Sequence, residues 1–423
     1  MNKSLSTDPY KGVRDFYPED MAIQRYIFDT WSKTAESFGY SRYDASILEP
    51  SQLYKSKGAE NEEMVNEQTY TFTDRGDREV TLRPEMTPTV ARMIAGARHT
   101  LTFPTRWYSI PNLFRYERPQ RGRLREHWQL NCDMFGAASS SADVESIALA
   151  YQILIDFGAT PDMFEIQVNN RLTMQKAYEM LGITDADRIT AITRLNDRKK
   201  KLPADEYLTK LTEIVNDSAL AAEIVSMIEA PDSGDNTVVA QLQALGIQNV
   251  RIDRSLARGF DYYTGTIFEV SDTADTNNRS MLGGGRYDNL TSLFGGDPIS
   301  GIGFGMGDVT MRDFLETHNL LPDAITSTAA TLTIIPTDDT HVLAAQRLAQ
   351  TIRHNGISVT VAFGERKLGK KISDAATAGT AFVLVCGEDE VSSQTYTVKQ
   401  LADGTTFSGT DVDVVNFISH STS

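Results

Sequence analysis

Between positions 301 and 307 glycine occupies every second place, in the run Gly301-Ile302-Gly303-Phe304-Gly305-Met306-Gly307. Side chains alternate across a strand, so this pattern builds one face of bare backbone and one apolar face of Ile302, Phe304 and Met306. The apolar face needs a core. The bare face needs something that approaches main chain closely, either a flat ligand or a tightly packed helix. The run Gly283-Gly284-Gly285 is less specific, because glycine clusters also make turns.

Further strand-like runs lie at residues 107–115, 164–168 and 267–270, and residues 69–73 and 79–82 flank the turn cluster Asp74-Arg75-Gly76-Asp77 as a hairpin. The expectation is an α+β fold, a large antiparallel sheet with helices beside it, and not the regular strand–helix alternation of a dinucleotide-binding domain. Residues 21–38 set Ile23, Ile27, Trp31, Ala35 and Phe38 on one helical face, a stripe that suits either a core or a subunit seam. From 172 to 249 the composition turns helical and charged, including Arg198-Lys199-Lys200-Lys201, with no catalytic-looking cluster. This predicts an inserted helical domain dividing a catalytic domain into residues 1–171 and 250–322; the lysine run suits a solvated face equally well. Beyond a polar linker at Ser327-Thr328-Ala329-Ala330, short apolar strands at 332–335, 359–363 and 382–385 alternate with helices starting near His341 and Lys370. A small α/β domain is expected over 328–423.

The net charge of −16 over 423 residues argues against a general positive field for nucleic acid, while leaving room for local basic faces. Cys132 and Cys386 are too isolated to suggest a disulfide framework or a cysteine-based zinc site, and no protein-held metal is expected. Residues 1–10 carry no apolar signal core and no run approaches the ~20 apolar residues that span a bilayer, so the expected home is the cytoplasm, away from membranes. The run Gly364-Glu365-Arg366-Lys367-Leu368-Gly369-Lys370-Lys371 nearly matches a phosphate-binding P-loop, but Lys371 stands where a magnesium-binding hydroxyl is required. Its cations fit better as a phosphate-contacting edge for an RNA loop.

The run Phe114-Arg115-Tyr116-Glu117-Arg118-Pro119-Gln120-Arg121-Gly122-Arg123, followed by Gln129 and Asp133, sets arginines beside carboxylates without a single lysine. Guanidinium forks match phosphate oxygens two at a time, which points to a nucleotide site; the alternative is a solvated, salt-bridged hairpin. A second run, Leu256-Ala257-Arg258-Gly259-Phe260-Asp261-Tyr262-Tyr263, sets a cation, a glycine and two tyrosines ahead of the strand-like Thr266-Ile267-Phe268-Glu269-Val270. Together with Lys11-Gly12-Val13-Arg14-Asp15-Phe16, Thr81-Leu82-Arg83-Pro84-Glu85-Met86-Thr87, Gly283-Gly284-Gly285-Arg286-Tyr287-Asp288 and the alternating-glycine strand, these runs resemble the histidyl-tRNA synthetase family. The resemblance spans nearly the whole chain, in family order.

It implies a class II synthetase fold with an antiparallel catalytic sheet, an inserted domain that helps hold the tRNA acceptor arm, and a carboxy-terminal anticodon-binding domain. It also implies a homodimer, with Pro50 in the first motif and the stripe of residues 21–38 at the seam. The implied reaction is histidine–tRNA ligation: ATP, with Mg2+, activates L-histidine to histidyl-adenylate, which is passed to the 3' end of the histidine tRNA. Residue by residue, Arg115 and Arg258 would act on the α-phosphate, Glu117 on the adenine amino group and Arg123 on the terminal phosphates, while His127 would stack on adenine with Trp128 as the lesser platform. Histidine would be held by Glu85, Thr87, Arg115, Gln129, Asp133 and Arg258, with Tyr262 and Tyr263 around the imidazole, and tRNA by Gln120, Arg366, Lys367 and Lys370.

Two positions depart from the family pattern. Asp133 stands where the family often carries glutamate, and Thr310 where the third motif normally carries an arginine, the nearest being Arg312. If the helix has begun by Asp308, a two-residue offset turns a side chain by about 200°, so Arg312 is expected to point away. The Thr310 departure keeps open a noncatalytic relative, either a regulatory subunit of ATP phosphoribosyltransferase or a tRNA-sensing module; the intact histidine pocket and the carboxy-terminal domain argue against it.

Overall fold

The computed structural model describes residues 5–55, 68–120, 122–199, 202–230, 236–258, 262–274, 280–322 and 330–422. In the first unit the strands are β1 (Ser41–Arg42), β2 (Leu48–Pro50), β3 (Tyr70–Thr73), β4 (Glu79–Leu82), β5 (Thr105–Ser109), β6 (Asn112–Phe114), β7 (Glu126–Phe135), β8 (Phe164–Asn170), β9 (Val250–Ile252), β10 (Thr266–Asp272), β11 (Ser280–Arg286) and β12 (Gly301–Gly307). The main sheet runs β1-β5-β7-β12-β11-β10-β8-β9, with β6 added to β7. It is antiparallel except at its two edges, where β1 pairs with β5 and β8 with β9 in parallel. The expected large antiparallel sheet is therefore present, with two local differences. Residues 107–115 form two strands rather than one, broken at Ile110 and Pro111, where proline has no N–H to donate to a ladder. The 69–82 hairpin pairs as expected, but it joins β2 in a separate three-stranded sheet.

The apolar face of β12 is fully used. Phe304 and Met306 pack with Leu130 and Cys132 of β7 and Phe268 and Val270 of β10 in one buried cluster, each large side chain contributing roughly 1.5–3 kcal/mol. The same cluster takes in Ile27, Trp31 and Ala35 of the helix Pro18–Ser37, and the Trp31 indole N–H lies 3.0 Å from the Met306 sulfur. The stripe of residues 21–38 is thus core of its own subunit, not the seam that the resemblance implied. Periodicity reports that a face is covered, not what covers it.

The helices Arg171–Met180, Ala186–Asp197, Ala204–Val215 and Ser218–Glu229 enclose a core of their own, including Tyr178, Ile192, Tyr207, Leu211 and Ile224. Inside it Asn196 donates to the Tyr178 hydroxyl at 2.8 Å and accepts from the Tyr207 hydroxyl at 2.5 Å. The next helix, Thr237–Ala244, instead buries Val238, Val239 and Leu242 in the main cluster. Of the lysine run, Lys199 is paired with Glu229 at 2.8 Å, while Lys200 and Lys201 lie outside the described residues.

The second unit has β13 (Leu332–Pro336), β14 (Val359–Val361), β15 (Phe382–Cys386), β16 (Tyr396–Gln400) and β17 (Thr406–Gly409), in the order β14-β13-β15-β16-β17. The three strands expected from the sequence are its parallel half; the antiparallel β16–β17 pair and the helix Asp411–Thr422 escaped that reading. Of the expected linker, Ser327, Thr328 and Ala329 lie outside the described residues. The P-loop likeness fails sterically as well as chemically, because the Lys371 ammonium is turned inward, 3.4 Å from the Pro336 carbonyl.

Candidate active site

Strand register decides what shares the bare face of β12. Gly303 stands opposite Asp133, Gly305 opposite Asn131 and Gly307 opposite Gln129, while Gly283 and Gly285 of β11 stand opposite Gly305 and Gly303. Glu269 of β10 is in turn opposite Gly283. Directly opposed residues lie on the same face, so a glycine floor is bordered by Gln129, Asn131, Asp133 and Glu269. Yet the floor does not stand open for a flat ligand. An added Cβ at Gly283 would overlap the Arg258 guanidinium; at Gly305 it would meet the Gln129 amide at 2.6 Å, and at Gly285 the Tyr263 ring at 2.8 Å. At Gly303 it would meet the Asp133 carboxylate and the Tyr287 hydroxyl. The glycines are absences that let the site's own polar side chains lie flat on the sheet.

Arg258 holds a left-handed backbone, φ +59°, which is unusual for a residue with a Cβ. Its guanidinium lies over Gly283 and is paired with the Glu269 carboxylate at 2.6 Å. Burial alone would lower its pKa, but Glu269 and the nearby Tyr263 overcome that and hold the group charged. Of the run of residues 256–263 around it, Gly259, Phe260 and Asp261 lie outside the described residues.

Two buried carboxyls share with this cation the surroundings of Tyr263. The turn carrying Glu85 is pinned by Arg83, whose guanidinium donates to the Asn112 carbonyl at 3.0 Å and the Ala45 carbonyl at 2.8 Å. Burial raises Glu85 to about 7, against the opposing pull of Arg115 and of the Tyr262 hydroxyl, which donates to it at 2.9 Å. Asp133 is likewise raised to about 7 by burial, against the Tyr287 hydroxyl that donates to Oδ1. Its Oδ2 is buried with no hydrogen-bond partner among the described residues, and an acceptor left so is costly unless a ligand N–H satisfies it. Thr87 opens the helix Thr87–Ala97 directly beyond Glu85.

The other wall is the β6–β7 pair, in which Leu113 stands opposite His127. Just past β6, Arg115 donates through Nε to the Pro84 carbonyl at 2.9 Å, which ties it to the Glu85 turn. Glu117 and Arg123 face each other at 3.6 Å, and the backbones of Gln120 and Arg123 bridge at the tip, with Gln120 exposed; Arg121 lies outside the described residues. Burial, with Arg115 and Arg14 nearby, pushes His127 down to about 3, so the ring is neutral at physiological pH. Trp128 alternates to the opposite face, edge-on to Phe16 with ring centres 5.2 Å apart, which leaves His127 as the ring on the site's side of β7.

The helix Asp308–Thr317 begins where the sequence argument required. Asp308 is buried and accepts from Arg14, Gln24 and the Trp128 backbone, fixing the helix start to β7. Thr310 donates to the Met281 carbonyl at 3.2 Å and the Gly307 carbonyl at 3.1 Å, whereas Arg312 turns to Glu316 at 2.8 Å. In the second unit Arg366 and Lys370 both pair with Asp374, at 2.6 and 2.9 Å, and Lys367 precedes the helix Leu368–Thr377.

Sequence reasoning missed Glu269 and Tyr287. A signal for each existed: a lone carboxylate in the apolar run of β10, and a tyrosine two residues beyond the glycine at 285 on the same face. Arg286 between them turns the other way, into a buried pair with Asp143 at 2.9 Å.

The family model described as histidyl-tRNA synthetase matches residues 12–308, and the one described as anticodon binding domain matches residues 331–420. A protein of Leptospira biflexa named histidine–tRNA ligase is 41% identical over 422 residues, covering 96% of this chain and 95% of the relative. One of the same name from Thermoplasma volcanium is 36% identical and covers 99% and 100%. A crystal structure of histidyl-tRNA synthetase from Nostoc sp. PCC 7120 shares the fold, with a TM-score of 0.79 at 22% identity over 99% of this chain and 100% of that one. Full-length likeness at this level shows that the chain belongs to the histidyl-tRNA synthetase family.

Proposed function

We propose that this synthetase is an ATP-dependent histidine–tRNA ligase whose adenylate chemistry takes place above the glycine floor. The observation that carries the reading is the gathering of a charged arginine, Arg258, and the buried acceptors Glu85 and Asp133 around Tyr263. In the reaction a histidine carboxylate oxygen bonds to the α-phosphorus while the bridging oxygen to the β-phosphate leaves with pyrophosphate. Negative charge grows on the phosphate oxygens, and Arg115 and Arg258 supply fixed positive charge where it grows. Glu85, Thr87, Gln129 and Asp133 hold the amino end and its neighbours; the Oδ2 of Asp133, without a hydrogen-bond partner among the described residues, takes a ligand N–H. Tyr262 and Tyr263 enclose the imidazole. Glu117 reads the adenine amino group, neutral His127 stacks on the base, and Arg123 meets the terminal phosphates.

Among the described residues no group of three or more His, Cys, Asp or Glu side chains could hold a metal ion. Magnesium would be carried by the phosphate oxygens of ATP, whose charge it would screen. The tRNA meets Gln120 at the β6–β7 tip and Arg366, Lys367 and Lys370 in the anticodon-type domain, a reading supported by the match over residues 331–420. No described helix is long and apolar enough to cross a membrane. The protein works as a homodimer in the cytoplasm, and its dimer surface lies elsewhere than the stripe at Ile27, Trp31 and Ala35.

Purified protein supplied with magnesium should catalyse histidine-dependent exchange of pyrophosphate into ATP. The relatives do not favour the noncatalytic regulatory reading that Thr310 keeps open, and only absence of exchange in folded protein would make it the better one. Arg312→Ala should leave exchange within a few-fold of the parent, since Arg312 is turned to Glu316. A loss of about a hundredfold, roughly 2.7 kcal/mol, would place Arg312 at the nucleotide instead. A chain ending after Pro322 retains every residue of the main buried cluster, so it should form adenylate yet charge tRNA poorly. Equal loss of both activities in a folded, dimeric truncation would count against that division of labour.

A further inference from the structure

A left-handed conformation at a residue with a Cβ costs about 1–2 kcal/mol and persists only where the surroundings over-determine it. At Arg258 the surroundings are two side chains from the junction of β8 with the helix Arg171–Met180. The Arg171 guanidinium donates to the carbonyls of Ala257 at 3.1 Å, Arg258 at 3.0 Å and Tyr263 at 3.3 Å, thereby gripping the segment on both sides. Its backbone N–H adds a bond to the Gly265 carbonyl at 3.0 Å, and the guanidinium carbon lies 5.8 Å from the centre of the Tyr263 ring. Just before it, the buried Asn169 amide donates to the carbonyls of Arg254 at 3.2 Å and Leu256 at 2.8 Å. Asn170, between the two, caps the helix by accepting from the Thr173 N–H at 3.2 Å. Three consecutive residues thus end a strand, start a helix and hold six carbonyls of a segment more than eighty positions away. A lysine could not do this, because its ammonium is a compact point charge and not a planar fork that spans several acceptors.

We propose that Arg171, assisted by Asn169, is a positioning residue for histidine activation: it sets Arg258 on the glycine floor and Tyr262 and Tyr263 around the imidazole. This rests on the roles given above to those three residues. It also makes the first helix of the helical insertion part of the catalytic apparatus, because the clamp is that helix's first residue. Arg115, Glu117, Arg123 and His127 ride on β6, β7 and their connection instead, which Arg171 does not touch through any of these bonds.

The test is pyrophosphate exchange by full-length Arg171→Ala, Asn169→Ala and Arg258→Ala, with kcat and both KM values measured. Arg171→Ala should lose about 30-fold or more in kcat and raise KM for histidine while KM for ATP stays within about threefold. Asn169→Ala, which releases two carbonyls and not three, should move the same parameters by about tenfold and gives the answer if Arg171→Ala does not fold. Rates and histidine KM within threefold of the parent in the folded variants, or histidine and ATP KM rising together, would overturn the proposal. The Arg258→Ala arm separates the two levels of argument: a fully active Arg258→Ala removes the assignment of the site, whereas an impaired one beside unimpaired Arg171→Ala and Asn169→Ala removes only the clamp.

Discussion

Arg258→Ala lowers the rate of histidyl-adenylate formation by about a hundredfold to a thousandfold, the 2.7–4 kcal/mol scale of a preorganised donor aimed at developing charge. Histidine binding weakens far less, because Glu85, Gln129 and Asp133 sit on other elements and keep their contacts. Single-turnover measurement of adenylate formation beside equilibrium histidine binding separates the two effects. Unchanged adenylate formation with collapsed histidine affinity would show that Arg258 grips the amino acid and has no part in the phosphoryl step. Removing the cation also leaves Glu269 without its 2.6 Å partner on the same face, so part of any loss in stability is the cost of that half-buried carboxylate.

Gly283→Ala should produce a folded protein with nearly as large a catalytic defect, although residue 283 itself touches no substrate. The added methyl overlaps the guanidinium of Arg258, the far end of a flexible side chain, and the backbone can stay where it is. The neighbouring Gly284 makes the contrast: a methyl there would meet the Gly303 carbonyl and the backbone of Phe304, and the sheet itself would have to move. At Gly283 the guanidinium must lift or swing aside by an ångström or more, and displacement on that scale costs on the order of a hundredfold in rate. Thermal unfolding within a few degrees of the parent, combined with a roughly hundredfold slower exchange, is the expected pair of results. A variant as active as the parent would mean that Arg258 works from somewhere other than the floor of β11.

Pattern carried a good part of this protein. Alternation fixed which side of β12 would be bare, whereas Gln129 and Asp133 were expected in the site only from the family resemblance and were brought beside that face by the register of β7 with β12. The arginine run, the Arg258 segment and the separate carboxy-terminal rhythm were readable because each is local: a few residues whose chemistry or spacing is meaningful without knowledge of what lies opposite. The third-motif argument held for the same reason, since helix rotation is an intrinsic property once the start at Asp308 is set.

Contacts between distant segments were decided only by the tertiary structure. Nothing in the spacing of Tyr287 and Asp133, or of Tyr262 and Glu85, announces that each hydroxyl will meet that carboxyl. Those pairings depend on the register of β7, β12 and β11 and on where the Arg258 segment is tied down, both set by packing across the whole sheet. The same holds for the stripe at Ile27, Trp31 and Ala35, whose period is identical whether it meets Met306 or another subunit. It holds too for the helix Thr237–Ala244, whose apolar residues join the main core although the sequence around them reads as insertion. Periodicity determines which residues of an element turn inward together; the partner they meet is fixed by long-range burial, in which every element competes for the same apolar surface.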